Sequence, residues 1–238
     1  MSKIPRCKAI LIGDCNVGKS SILQRFLEPN STFKGAYSMT KGVTISFKQV
    51  QIRSSSSAQN VLGLSSNLSN NLNLMTPPAK TLNKIVSFEE DDEENQNDVI
   101  ELYIYDIGGD KVYIDLLKSV CNNVSMVIGV FDLGKGGTLE RLKRLIDDLM
   151  KQFQTSTSIS KNNSINAQDG KSNVIGVIIG NKTDKRDLAG RGVNEQEARI
   201  LAKKHKFSYF ECSAKLNTGI EEVFAFLSTK FLEQFLDD

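Results

Sequence analysis

The stretch GDCNVGKSS, Gly13 to Ser21, sets a glycine, four residues, and then Gly-Lys-Ser. That spacing suits a phosphate. Glycines let successive backbone N–H groups curl around an anion, and a helix starting at the lysine adds partial positive charge. Gly13, Asp14, Cys15, Asn16, Val17, Gly18, Lys19, Ser20 and Ser21 form the candidate cradle. Lys19 would reach the β- and γ-phosphates, and the Ser20 hydroxyl would bind Mg2+. An ordinary strand-to-helix turn is the plain alternative, and Lys-Ser in register argues against it.

A second group tells which nucleotide. GNKTD places Asn181, Lys182 and Asp184 after a strand-like run, at the end of a sheet where ligands of such folds sit. A carboxylate only accepts hydrogen bonds, and guanine offers adjacent N1–H and N2–H2 donors that adenine lacks. Asn181 can bond the base edge and brace the phosphate loop, and the Lys182 stem can cover the base plane. Ser213, Ala214 and Lys215 follow the last strand, where a backbone N–H can face the guanine carbonyl. An ATP-using phosphotransferase is disfavoured by Asn-Lys-x-Asp. Asp106 and Gly109 fit an Asp-x-x-Gly turn, and Asp110 follows it.

The elements that must position these residues are legible in the apolar pattern. Lys8–Ile12, Ser125–Phe131 and Val174–Ile179 are apolar runs without alternation, as in strands buried on both faces. Gly42–Ile52 and Val99–Tyr105 alternate in part, as strands at a sheet edge do, and Ser208–Cys212 reads as a last short strand. Helical spacing runs through Lys19–Leu27, Leu139–Phe153, Glu195–Lys204 and Ile220–Leu236. Strands alternating with helices predict an α/β, doubly wound domain. On the last helix Ile220, Val223, Phe224, Leu227, Phe231 and Phe235 follow helical spacing, and core packing against the sheet explains most of them. Phe226, Leu232 and Leu236 fall off it and suggest a second buried surface.

Two tracts interrupt the rhythm. Residues 54–98 are rich in Ser and Asn, and residues 155–173 are similar. Such a composition buries too little to offset chain entropy, so both read as disordered insertions in a single domain spanning 1–238. The 238 residues carry a net charge of +2 and 39% hydrophobic content, which calls for no nucleic acid and no anionic membrane. Four cysteines without C-x-x-C pairing and one histidine argue against zinc and for a reducing compartment. Ser2 excludes N-myristoylation, and FLEQFLDD lacks a cysteine for prenylation, so no direct lipid anchor is expected. Cys15 reads as a compact filler ahead of a redox switch, and His205 as a surface residue.

With Gly-Lys-Ser, Asp-x-x-Gly, Asn-Lys-x-Asp and Ser-Ala-Lys in this order, the chain resembles the Ras-like small GTPases outside the two insertions. The resemblance implies a P-loop GTPase fold: a six-stranded, mostly parallel sheet with helices on both faces and one antiparallel edge strand. FKGAYSMTKGVTISF is similar to a Rab-type first switch. By that likeness Phe33 would stack on guanine, Thr40 would close over Mg2+ and the γ-phosphate, and Asp106 would hold Mg2+ through water. Lys41 and Thr44 depart from the Rab pattern. These departures and the unlipidated tail look most like the Rab-like GTPase subunits of intraflagellar transport complex B. That likeness implies a ciliary or cytoplasmic setting, GTP/GDP and Mg2+ as cofactors, and a small β-sandwich subunit among the partners.

Lys19, Thr40, Gly109 and Asp110 are the candidate catalytic residues. Asp110 stands where Ras-like proteins usually carry a glutamine that orients the attacking water. It is shorter, accepts only, and brings negative charge towards phosphate. One reading makes it an alternative base. The other makes it disabling, so that GTP hydrolysis is slow, and Arg186 or Arg191 would be the arginines to consider in cis. Function then divides between a GTP-dependent switch, a structural subunit that holds nucleotide without cycling, and a Rab-type vesicle-trafficking GTPase.

Overall fold

The computed structural model describes residues 4–33, 35, 38–52, 98–160, 174–188 and 195–236. The chain forms two compact units, Met1–Val50 with Val99–Asp238, and Gln51–Asp98. Of the second unit only Gln51, Ile52 and Asp98 are among the described residues, so the expected insertion at 54–98 lies almost wholly outside them.

The elements follow in the order β1 (Arg6–Gly13), α1 (Lys19–Leu27), β2 (Val43–Ile52), β3 (Asp98–Ile107), α2 (Ile114–Val120), β4 (Met126–Asp132), α3 (Gly136–Ser160), β5 (Ile175–Asn181), α4 (Glu195–His205), β6 (Ser208–Cys212) and α5 (Ile220–Leu236). The strands lie in the order β2-β3-β1-β4-β5-β6. β1 runs parallel to β3 and β4, β4 to β5, and β5 to β6. The β2–β3 edge pair is antiparallel. This is the Ras-like P-loop architecture.

Register brings the strand ends together. Leu11 pairs with Asp106, Gly13 with Val130, Asp132 with Asn181, and Asn181 with Cys212. The carboxyl ends of five parallel strands therefore share one edge of the sheet, and each is followed by a loop that can reach a ligand.

The unalternating apolar runs are buried on both sides. On β1, Ile10 and Ile12 join a cluster with Phe131, Leu142, Ile146, Leu149, Ala198 and Leu201, which seats α3 and α4. Their neighbours Ala9 and Leu11 are also fully buried, facing the other way. There α1 and α5 lock together through Phe26 and Phe224, stacked with ring centroids 3.7 Å apart. Each fully buried Ile or Leu contributes about 1.5–3 kcal/mol by leaving water.

Two expectations are adjusted, and three short elements stand outside them. α3 continues to Ser160, seven residues beyond Phe153 by the chain numbering, because the Thr-Ser tract carries no Gly or Pro to stop it; the rest of 155–173 lies outside the described residues. α2 and the short 3-10 turns Lys111–Tyr113 and Thr183–Leu188 carry no periodic signal at their length, and Tyr113 gives α2 no side-chain cap. Leu232 is buried within the chain, and Phe226 packs on Phe210 at 5.2 Å, so these two need no second surface; the Leu236 side chain lies outside the described residues. Among the described residues no helix is long and apolar enough to cross a membrane.

Candidate nucleotide and metal site

The phosphate loop follows from backbone geometry. Gly18 adopts φ 97°, and a Cβ there would collide with the Asn181 amide nitrogen, so glycine is required on both counts. It stands at the N-cap of α1 without a side-chain cap, and the first turn carries no acidic residue. The first N–H groups of the helix are thus left for an anion. Lys19 is buried at 5% exposure and donates to the carbonyls of Gly13 at 3.0 Å and Asp14 at 2.9 Å. Burial holds its ammonium below the usual lysine range, with the Asp106 charge opposing that shift.

Oxygen atoms converge beside the lysine. The Ser20 hydroxyl donates to Asp106 Oδ2 and lies 2.8 Å from Thr40 Oγ1, which is itself 3.4 Å from the same carboxylate oxygen. Asp106 Oδ1 is buried with no hydrogen-bond partner among the described residues. Burial raises the Asp106 pKa, eased by the Ser20 hydroxyl, the Lys19 charge and the Thr40 hydroxyl. One carboxylate with an unpartnered oxygen, and two hydroxyls, fit a hard, oxygen-seeking cation such as Mg2+, which takes few protein ligands and completes its shell from phosphate and water.

The base side is braced from β5. Asn181 Nδ2 donates to the Val17 carbonyl at 2.8 Å, and its Oδ1 accepts the Ala214 N–H at 3.2 Å. One side chain thereby ties the phosphate loop to the Ser-Ala-Lys loop. Of the backbone N–H groups in this loop, that of Ala214 is engaged by Asn181. Lys182 donates to the Asn16 carbonyl at 2.6 Å and pairs with buried Asp132 at 2.8 Å. Asp184 accepts the Ser213 hydroxyl at 2.6 Å, with Lys215 4.0 Å away.

These elements enclose a cavity of about 380 Å³. Cys15, Asn16, Gly18, Lys19, Ser20, Ser21, Phe33, Thr40, Gly109, Asn181, Lys182, Asp184, Ala214 and Lys215 line it, joined by Gly35, Ser38, Met39 and Lys185. Gly13, Asp14, Val17 and Ser213 stand behind as carbonyl or hydroxyl partners. Cys15 is exposed, and its thiol is pushed up by its hydrogen bond to Asp14 and by burial.

Asp110 stands apart. It lines a neighbouring cavity of about 230 Å³ with Tyr113, Leu117, Arg141 and Arg144. Its carboxylate accepts the Val112 N–H at 3.2 Å and its carbonyl accepts the Tyr113 N–H at 3.0 Å, capping the turn that leads into α2. Gly109 alone of this pair reaches the nucleotide cavity, so close to Asp14 and Cys15 that a Cβ would not fit. Arg141 on α3 pairs with Asp14 at 2.6 Å, a contact that no spacing in the sequence announces. The Arg186 side chain and Arg191 lie outside the described residues.

A glycine-rich loop at a helix N-terminus, an oxygen triangle beside it and an Asn-Lys-x-Asp edge on one mostly parallel sheet describe a guanine-nucleotide domain. The Ras family matches residues 78–233, and the Roc domain (Ras of Complex, of DAPkinase) matches residues 8–66. The chain belongs to the Ras family, as a Rab-like small GTPase. The family binds GTP or GDP, generally with Mg2+, and hydrolyses GTP.

Its similarities narrow the branch. Ras-related protein RabC of Dictyostelium discoideum is 26% identical over 92% of this chain and 81% of its own length. The intraflagellar transport protein 27 homolog of Mus musculus is 23% identical over 96% of this chain and 91% of its own. DnaJ homolog subfamily C member 27-B of Xenopus laevis is 24% identical over 94% of this chain, which spans only 61% of that protein.

Proposed function

We propose that this chain is a guanine-nucleotide switch that hydrolyses GTP slowly and serves in an intraflagellar transport complex. In this reading the loop from Gly13 to Ser21 holds the phosphates, with Lys19 bridging the β- and γ-groups. Ser20, Thr40 and Asp106 hold Mg2+, which would shield phosphate charge as it develops. Asp184 reads the guanine donors, Asn181 fixes the loops, and Phe33, Lys182 and the Ser213–Lys215 loop wall the base.

Slow hydrolysis rests on Asp110. Its carboxylate accepts the Val112 N–H and lines the cavity beyond the nucleotide site. A group spent on a turn, short and negative, orients no water at a γ-phosphate. The transport role is supported by the similarity to the mouse intraflagellar transport protein along nearly the whole chain, and a β-sandwich partner and a ciliary location extend the same reading.

The test is single-turnover phosphate release from GTP-loaded protein, wild type beside Asp110→Gln. Slow wild-type release that the glutamine accelerates supports the proposal. Ready turnover by the wild type, slowed by glutamine, makes Asp110 a base and overturns it. Partner affinity that differs between GTP- and GDP-loaded protein separates a switch from a subunit that merely holds nucleotide.

A further inference from the structure

Arg25 sits in the last turn of α1, half-buried, behind two walls of the nucleotide cavity. Its Nε donates to the Ala214 carbonyl at 3.0 Å, one terminal nitrogen donates to the Ser31 carbonyl, and the other lies 3.5 Å from the Lys215 carbonyl. Its guanidinium also stands 5.9 Å from the Phe33 ring centroid. A planar fork with several fixed donors suits this task, since it engages divergent carbonyls at once. A second tie joins the same two segments: Asn217 Nδ2 donates to the Pro29 carbonyl at 3.1 Å.

These contacts meet at the base. Ala214 and Lys215 line one wall of the cavity and Phe33 another. Both peptide groups that flank the Ala214 α-carbon are held, the N–H before it by Asn181 and the carbonyl after it by Arg25. The segment Pro29–Phe33 lies outside sheet and helix and is tied to the end of α1 by one backbone turn bond, Ser31 N–H to the Glu28 carbonyl at 3.0 Å, so its position against the base loop leans on such side chains.

We propose that Arg25 is a positioning residue for the nucleotide base: it clasps the Ala214–Lys215 loop to the Ser31–Phe33 segment, and opening this clasp sets the rate of nucleotide release. The inference rests on the guanine-site reading above and adds a regulator to it. Anything that draws Pro29–Phe33 away from the domain also withdraws the restraint on the base loop, so release and first-switch movement are coupled through this clasp, with Arg25 as its main tie and Asn217 as its second.

Release of a fluorescent GDP analogue tests it, comparing wild type, Arg25→Ala, Arg25→Lys and Asn217→Ala, with GDP and inosine diphosphate (IDP) as competitors. IDP lacks the 2-amino group, so the GDP-over-IDP preference reports base placement. Arg25→Ala should release GDP about tenfold faster or more, the scale of a lost charge-assisted hydrogen bond. The preference should shrink, and lysine, with one compact donor group, should restore only part of it. A protein merely loosened in its fold would weaken toward GDP and IDP alike, and that outcome overturns the proposal. So does release by Arg25→Ala at the wild-type rate. Asn217→Ala removes an exposed tie and carries the test if Arg25→Ala does not fold: faster release supports the clasp, and unchanged release overturns it. Should the wild type fail to retain GDP over ADP, the guanine-site reading itself falls.

Discussion

The Asn181 side chain on β5 donates to the Val17 carbonyl at 2.8 Å, holding the phosphate loop from across the sheet. The same amide, through its oxygen, accepts the Ala214 N–H. Phosphate and base loops thus share one buried anchor, 1% exposed. Asn181→Ala strips a partner from each, at a cost of about 1–3 kcal/mol for every buried group left unsatisfied. Denaturant unfolding of the nucleotide-free protein should register that loss, and nucleotide release should quicken. Unchanged stability would mean that water replaces both contacts without cost.

The Asp110–Val112 contact makes a separate claim about the turn before α2. Loss of a capping carboxylate costs about 0.5–2 kcal/mol in a helix. Asp110→Ala should therefore speed amide exchange at Val112 and Tyr113. Asp110→Asn keeps an acceptor of the same length and should preserve protection, so comparing it with Asp110→Gln separates turn geometry from phosphate chemistry. Equal protection in the alanine and asparagine variants would remove the cap from the account.

Much of this architecture is legible in the sequence because its signals are local. Gly-x-x-x-x-Gly-Lys-Ser demands a strand before it and a helix after it, and the structure supplies β1 and α1. Buried β-branched runs are visible because both faces of the central strands are covered. Contacts between distant segments have no such signal. Arg141 reaches Asp14, Arg25 reaches Ala214, and Asp132 reaches Lys182, yet each looks like an ordinary polar position. His205 is the plainest miss: expected at the surface, its Nε2 is buried 2.9 Å from Asp147 because α4 lies against α3. A lone histidine beside two lysines gives no hint of that packing.

That histidine makes stability depend on pH. Burial holds the His205 imidazole below its ordinary value of 6.5, Lys204 pushes the same way, and Asp147 opposes both. The Phe207 ring lies 5.9 Å away. A folded pKa below the unfolded one means that the unfolded chain binds the proton more readily, so stability falls as pH drops from about 6.5 through the folded value. Asp147 is depressed, chiefly by its hydrogen bond to Lys204, and its contribution disappears only in stronger acid, as pH falls through its folded value. His205→Gln should flatten the melting-temperature profile between about pH 7 and pH 5 and leave the strongly acidic limb. A profile unaltered by the substitution would place the titration elsewhere.

Asp184 carries the sharpest prediction about ligand choice. Its Oδ1 accepts the Ser213 hydroxyl at 2.6 Å, which fixes the carboxylate at the lining of the cavity. A carboxylate there accepts from the N1–H and 2-amino donors of guanine, and asparagine would instead offer an N–H where guanine has donors only. Xanthine carries a carbonyl at that position and would accept it. Asp184→Asn should therefore lose GDP affinity by a factor on the order of 10⁴, the scale on which hydrogen-bonded sites reject a mismatched partner, and gain affinity for xanthosine diphosphate. Competition between the two nucleotides in equilibrium binding measures this directly. If the variant keeps its preference for GDP, the Asp184 carboxylate does not face the base.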